Sequence, residues 1–364
     1  MSVAPGDERD GRAERLAGYV ATQLGVGPDE VAIEDLEVPE GVGHSNETVL
    51  FTACHPGGRD ELVLRIQPPG DGVFPDYDLG LQVTCMRAIG AGTAAPTPSV
   101  RWFEADPAVL GAPFYVMDRL AGVVPRDRMP YTLDGWLKDA SADEQRRLHD
   151  ASLVAMAEVH RADWRALGLE VLDRSAHGPP GMAQQLAWWI ELVGWMAKGR
   201  PNATVDATTA WLRAQLPTDE PPTGITWGDA RLSNIIYADF EPVGLLDWVM
   251  AALGPAEVDL AWFVFFRRFF ADGLGVEDLA GFPDRAETVD RYAQLLGRDL
   301  GELFFYEVFA AWRHSAIMGR LADLYEATGE IPSGTDARVN NIASRMLAEM
   351  LDLPSPGEPG GPLG

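Results

Sequence analysis

With 364 residues, the chain exceeds the length at which one hydrophobic core usually stops growing, so two lobes are expected. An apolar share of 46% and 11 tryptophans exclude disorder for the bulk of it. A net charge of −26 argues against nucleic acid and anionic membranes as partners, since both reward basic patches. The same acidity would draw a cationic substrate at long range, and it serves solubility equally well. Residues 1–15 mix Asp, Glu and Arg and lack the apolar centre of a signal peptide, while the most apolar stretch, 260–266, is far too short to cross a bilayer. Cys54 and Cys85 have no metal-ligand partners at useful spacing, so reduced cysteines and a cytoplasmic location are expected.

In chain order, residues 12–24 place Leu16, Val20 and Leu24 at a helical spacing of four. A β-rich stretch follows with Ile33, Leu36 and Val38, then the small-residue run 41–47, then strand-like 48–53 and 61–66. Pro68, Pro69, Gly70 and Gly72 mark a loop, 78–89 reads as a helix, and 100–103 and 113–117 complete a small, mainly antiparallel sheet. Beyond Asp118 the chain turns helical. Helices are expected over 144–160, 182–197, 206–216, 258–270, 287–296, 301–328 and 335–351, with a Pro/Gly-rich, disordered tail over 354–364. The expected division is an N-lobe over 1–118 and a C-lobe over 119–353, an α+β fold with a small β-rich lobe and a larger helical one.

The chemistry concentrates between Trp227 and Trp248. Asp229 and Asn234 stand on a loop, Ile235, Ile236 and Tyr237 form an apolar run, a turn follows at 239–242, and a second run from Val243 delivers Asp247. Two short β-rich runs joined by a turn suggest a hairpin, which brings Asp247 back beside the loop. One carboxylate that accepts a hydroxyl proton, with an amide oxygen and a second carboxylate that hold Mg²⁺ on nucleotide phosphates, are the parts a phosphoryl-transfer site needs. Hard oxygen ligands suit Mg²⁺, which takes only one or two protein carboxylates. Any one of these residues alone would be an ordinary turn former or cap. Three in this order point to chemistry.

The segment resembles the catalytic core of the aminoglycoside phosphotransferase-like enzymes, small-molecule kinases with a protein-kinase-like fold. Their Asp-x-x-x-x-Asn loop and following Asp-Trp are matched by Asp229, Asn234 and Asp247-Trp248, and their Asp-Leu-Ala-Trp by 259–262. The resemblance implies a bilobal protein-kinase-like fold, with Asp229 as the catalytic base and Asn234 and Asp247 as Mg²⁺ ligands. Trp227 stands where the family usually has a histidine that braces the loop. Asp259 reads as a cap or buried anchor, and His160 as a packing or dipole-pairing residue.

On the nucleotide side, Gly41, Gly43, Ser45 and Asn46 lie between two strand-like runs, where small residues let backbone N–H groups approach the phosphates of ATP or GTP. The family's phosphate-binding lysine is matched by Arg65, which can also bind phosphate bidentately. The family's glutamate partner for that cation is matched by Gln82, with Asp78 one turn earlier as a substitute. The stretch from Met117 to Arg119 matches the hinge that offers backbone groups to the adenine edge, with Val49 and Val63 as its apolar lining.

The function implied is an ATP- or GTP-dependent O-phosphotransferase acting on a small-molecule hydroxyl acceptor, aminoglycoside-like or another amino or sugar alcohol. The alternative is a nucleotide-binding, catalytically silent protein acting through partners, and a metal-assisted hydrolase ranks behind both. The helix with Trp188, Trp189 and Trp195 could wall an acceptor pocket, although its spacing suits plain packing. Polar candidates for that pocket are Glu191, Tyr306, Glu307, Arg313 and His314.

Overall fold

In the computed structural model, which describes residues 5–39, 47–68, 70 and 72–360, a period-two alternation splits the first sheet into two faces with different tasks. Its strands are β1 (Ala32–Glu37), β2 (Glu47–His55), β3 (Gly58–Ile66), β4 (Val100–Glu104) and β5 (Phe114–Asp118), in the antiparallel order β1-β2-β3-β5-β4. Val49, Phe51, Leu62, Leu64, Phe114 and Val116 point outward and bury themselves under Leu16, Tyr19 and Val20 of helix α1 (Pro5–Leu24). The inward face carries Thr48, Arg65 and Tyr115 in one register row and Leu50, Val63 and Met117 in the next.

That register corrects one expectation. Val49 pairs with Leu64 and lies on the α1 side, so it does not line the inner face with Val63; Leu50, one residue on, does. Helix α2 (Leu79–Gly92) packs Val83, Met86 and Ile89 into the main core, and the Asp78 carboxylate caps it by accepting from Leu81 N at 2.8 Å.

The second lobe is built from α3 (Trp136–Asp139), α4 (Ala142–His160), α5 (Met182–Ala197), α6 (Ala203–Ala214), α7 (Glu257–Phe270), α8 (Arg285–Leu296), α9 (Phe304–Thr328) and α10 (Ile342–Met350). Helix α7 is buried almost all round, from Val258 to Phe266 without a break, as expected of a helix apolar on every side. Helix α10 is shorter than the 335–351 expected. Asn341 is its N-cap, accepting from Ser344 N at 3.0 Å, and residues 335–341 form turns before it. Residues 354–360 carry neither helix nor strand, yet Asn340 Nδ2 donates to Glu358 O at 3.0 Å and holds them to the lobe.

Two short ribbons sit between α6 and α7. One pairs β6 (Thr223–Thr226) with β9 (Ala252–Pro255), and the other is the hairpin of β7 (Ile235–Ala238) with β8 (Glu241–Leu245). The hairpin turns on Asp239 and Phe240, both left-handed at φ 50° and 63°, a two-residue turn whose twist matches that of its strands. Among the described residues, no helix is long and apolar enough to cross a membrane.

The outer face of the sheet and α1 share one core, so Phe51→Ala should cost about 3–5 kcal/mol of stability, the range for a fully buried Phe. Urea unfolding checks this; a loss below about 1 kcal/mol would show that α1 does not depend on the sheet.

Candidate active site

The loop that carries Asp229 is fixed at its root by a single carboxylate. Asp259, on the first turn of α7, accepts from Gly228 N through Oδ1 at 2.9 Å and from Trp227 N through Oδ2 at 2.6 Å. Oδ2 also lies 2.8 Å from His160 Nε2, at the C-terminal end of α4, and the other ring nitrogen of His160 is hydrogen-bonded to the Tyr292 hydroxyl of α8. His160 is therefore a packing residue with specific partners rather than a lone one.

Gly228 sits at φ +91°, where a Cβ would lie 2.2 Å from the Met250 carbonyl oxygen, so only glycine fits. Trp227 ties the loop to the end of β8. Its indole Nε1 donates to Leu246 O at 2.8 Å, tying the loop to the residue before Asp247. Its ring packs 5.9 Å from that of Trp248.

The three predicted residues come together at the end of this loop. Asn234 Nδ2 donates to the Asp229 carbonyl at 3.0 Å, which fixes the amide and leaves its Oδ1 as the acceptor end. Leu246 N donates to Asn234 O at 2.8 Å, so β8 is stitched to the loop next to Asp247. Asp247 itself is left-handed at φ 58°, a conformation Asp tolerates, and it turns off the line of β8. Burial raises the phenols of Tyr77 and Tyr115, and the negative charge of Asp247 adds to both.

The Asp229 carboxylate is nearly buried and is oriented from two sides. Trp262 Nε1 donates to Oδ1 at 2.8 Å, and Arg231 Nε lies 2.9 Å from the same oxygen. Arg231 also pairs with Asp127 and lies over the Phe266 ring at 5.1 Å. Burial opposes the Arg231 charge, but the carboxylates of Asp127, Asp229 and Asp247 outweigh it and raise its pKa. The arrangement brings one oriented carboxylate and an amide oxygen onto one loop, with a second carboxylate on the residue after Leu246, which is bonded to that loop.

The nucleotide side is less complete. Gly43, Ser45 and Asn46, with Gly41, lie outside the described residues. Arg65 lies on the inner face and is hydrogen-bonded to Tyr115. Gln82 is buried, and neither end of its amide has a hydrogen-bond partner, while Asp78 is occupied as the cap of α2, so neither bonds to Arg65. In the hinge, the N–H groups of Asp118 and Arg119 are already given to Ser99 O and Glu61 O at 2.9 and 3.0 Å. Backbone contacts to a base from Asp118 and Arg119 would therefore fall to their carbonyls.

Of the polar candidates for an acceptor pocket, Glu191 is exposed beside His177 and Glu307 is paired with Arg285. Tyr306, Arg313 and His314 are buried. Sequence reasoning missed Trp262 as the donor to Asp229, and Asp127 as the second partner of Arg231. Trp262 was visible only as part of the Asp-Leu-Ala-Trp segment, and nothing local marked Asp127.

Residues 38–303 match the sequence profile of the Phosphotransferase enzyme family. A 327-residue stretch is 28% identical to an Arabidopsis thaliana protein named "Probable acyl-CoA dehydrogenase IBR3", covering 85% of this chain and 38% of that protein. The chain spans less than two-fifths of the length of such curated relatives. A candidate aminoglycoside phosphotransferase from Ralstonia eutropha JMP134 has the same fold at a TM-score of 0.67 and 24% identity, over 93% of this chain and 96% of that one. A thermostable mutant of an aminoglycoside phosphotransferase, crystallised as a ternary complex with AMP-PNP and hygromycin B, superposes at 0.54 with 14% identity, over 93% and 96%.

Asp259→Asn would turn one of its two acceptor oxygens into an N–H₂ donor facing either a backbone N–H or His160. We expect a stability loss of about 1–3 kcal/mol, the cost of an unmatched buried donor, together with a fall in kcat. Thermal unfolding and turnover check it, and an unchanged Tm would mean that Asp259 does not hold the loop.

Proposed function

Because the chain belongs to the Phosphotransferase enzyme family, we propose that it is a small-molecule kinase that moves the γ-phosphoryl group of ATP or GTP to a hydroxyl of a small molecule through Asp229, Asn234, Asp247 and Arg65. The observation that carries this reading is the tie of the Asn234 amide to the Asp229 carbonyl, beside the bond from Leu246 N to Asn234 O. It supports a site in which the base and both proposed metal ligands hold one mutual geometry before any ligand arrives.

In the proposed mechanism Asp229 accepts a hydrogen bond from the acceptor hydroxyl, aims its oxygen at the phosphorus, and takes its proton late in the transfer. Trp262 and Arg231 both engage Oδ1, which supports Oδ2 as the oxygen that faces the acceptor. Asn234 Oδ1 and the Asp247 carboxylate are hard oxygen donors and fit Mg²⁺, a cation that keeps most of its remaining ligands as water and phosphate. When bound, Mg²⁺ would neutralise phosphate charge that builds up in the transfer. Arg65 would neutralise the other phosphates from the first lobe.

Support for the catalytically silent alternative came from the departures at Arg65, Gln82 and Trp227. The last of these loses its weight, because the Trp227 indole braces the loop through Leu246 O. Residues 1–118 and 119–353 serve in this reading as the nucleotide-binding and acceptor-binding lobes.

The contrast between two variants tests the roles. Asp229→Asn should lower kcat by about 10²–10⁴-fold, the usual worth of a general base, with nucleotide affinity near normal. Asp247→Ala should abolish Mg²⁺-dependent nucleotide binding by calorimetry. Parental turnover in the first variant, or unchanged Mg²⁺-dependent affinity in the second, overturns the corresponding role. Arg65→Ala should raise the KM for nucleotide while Arg65→Lys keeps a good part of it; parental kinetics in Arg65→Ala would remove Arg65 from the phosphate site.

A further inference from the structure

The strongest unexplained feature of the second lobe is a buried cation with no counter-ion in contact. Arg313, on α9, is 1% exposed. Its guanidinium lies over the rings of Trp262 at 4.2 Å, Phe309 at 4.7 Å and Trp189 at 5.1 Å. Its Nε and Nη2 have no hydrogen-bond partner among the described residues, and neither has the buried Nε1 of Trp189 beside it. Guanidinium and indole groups donate and never accept. Three unpaired donors therefore converge with no acceptor.

The unpaired donors are what leave this arrangement unfinished. Stacking returns about 0.5–2 kcal/mol per ring, which offsets part of the several kcal/mol that removing an ion from water costs even after relaxation, but rings accept none of the guanidinium's in-plane N–H groups, and each buried donor left unmatched costs about 1–3 kcal/mol more. Burial accordingly pulls Arg313 down to about 9, with the charges of Asp259 and Asp229 opposing it from a distance. Neither carboxylate is in ion-pair contact with Arg313 among the described residues. Asp259 spends both oxygens on Trp227 N, Gly228 N and His160, and Asp229 Oδ1 is taken by Trp262 and Arg231.

Trp262 joins the two centres. Its Nε1 edge donates to Asp229 and its face lies under Arg313. Trp262 is thus in contact with both Asp229 and Arg313, so a hydroxyl held at the one and acceptor oxygens held at the other would lie on either side of a single indole. We propose that Arg313 and Trp189 form the recognition end of the acceptor pocket, and that the acceptor is a hydroxy carboxylate with an apolar chain rather than an amino alcohol or aminoglycoside. A carboxylate brings acceptor oxygens in the planar pair that a guanidinium binds best. An ammonium group in the same place would face a like charge, and Trp189, Trp262 and Phe309 offer apolar surface to a carbon chain. This assignment rests on the phosphotransferase reading for the position of the reacting hydroxyl, but binding at Arg313 does not depend on it.

The test titrates the intact protein, without nucleotide, with aliphatic hydroxy carboxylates bearing the hydroxyl at successive carbons, following tryptophan fluorescence. Matched methyl esters and amino alcohols are run in parallel. Acids should bind and esters and amines should not, and Arg313→Met should weaken the acid by roughly 10- to 100-fold, the worth of hydrogen bonds to a charged group. Arg313→Lys should retain part of the affinity. Arg313→Met should also melt no lower than the parent, because it removes a buried charge that lacks a partner. Equal binding of acid and ester, unchanged affinity in Arg313→Met, or a lower Tm for that variant each overturns the assignment, and the ester comparison stands on the parent protein alone. Magnesium- and ATP-dependent ADP release over the same panel separates the two readings. Amino alcohols that stimulate release while acids do not bind overturn the carboxylate site and leave the kinase. Acids that bind while no hydroxyl compound stimulates release leave the site and overturn the kinase.

Discussion

Everything at the reacting end of this molecule hangs on one side chain, the buried carboxylate of Asp259. It is the acceptor for two successive backbone N–H groups of the catalytic loop and for a histidine from α4, and it sits on the first turn of α7, where a negative charge is favoured. A buried carboxylate is costly unless it is fully bonded. Here each bond recruits a different element: the loop through Trp227 and Gly228, α4 through His160, and α8 through the Tyr292 hydroxyl beyond it. The cost of burying the charge is thereby converted into the mutual placement of three helices and one loop. The left-handed Gly228 is the local counterpart, since the chain must pass so close to Met250 that no side chain fits.

Two buried charge clusters lie on either side of Trp262 and balance differently. Around Arg231 the acids are in excess: Asp127, Asp229 and Asp247 surround one guanidinium and raise its pKa. That excess suits a site meant to receive a divalent cation, which supplies the missing positive charge. Around Arg313 the imbalance has the opposite sign, with donors in excess and no acceptor in contact. The indole between them bonds to the acid on one side and stacks on the cation on the other. A divalent cation on the one side and the proposed acceptor's carboxylate on the other would complete both clusters.

Much of the fold was legible because it rests on short-range periodicity. The α5 boundaries, Met182–Ala197, follow from its aromatic and leucine spacing, and the β7–β8 hairpin from two apolar runs and their turn. The proximity of the proposed site residues was legible for the same reason, since Asp229, Asn234 and Asp247 fall within twenty positions and the hairpin folds back toward the loop. What failed depends on register or on distance. Val49 and Leu50 are equally apolar, and only pairing with β3 decides which faces inward. Asp78 was a candidate partner for Arg65 until its place as a helix cap was visible. Trp262, Asp127 and Arg313 lie 33, 102 and 84 positions from Asp229 by numbering, and no local pattern announces their convergence. Trp227 shows a different limit: as a residue type it looked like a loss of the loop's brace, whereas its indole N–H ties the loop to Leu246 O.

The overall charge illustrates why composition does not fix a substrate. A net charge of −26 favours cations at long range, and an amino-group-bearing acceptor is the natural expectation from it. Interactions between exposed charges fade beyond a Debye length of about 8–10 Å at ordinary ionic strength, and a surface acid has no vote inside a closed pocket. There the decisive quantities are which atoms lack partners and what they can accept or donate. Arg313 and Trp189 lack acceptors and can only donate. The general field governs how any charged molecule approaches the protein, and in the proposed site the few unpaired donors beside Trp262 would govern which molecule stays. On that proposal the acceptor's chemistry is set by the inside of the second lobe, against the sign of the surface that surrounds it.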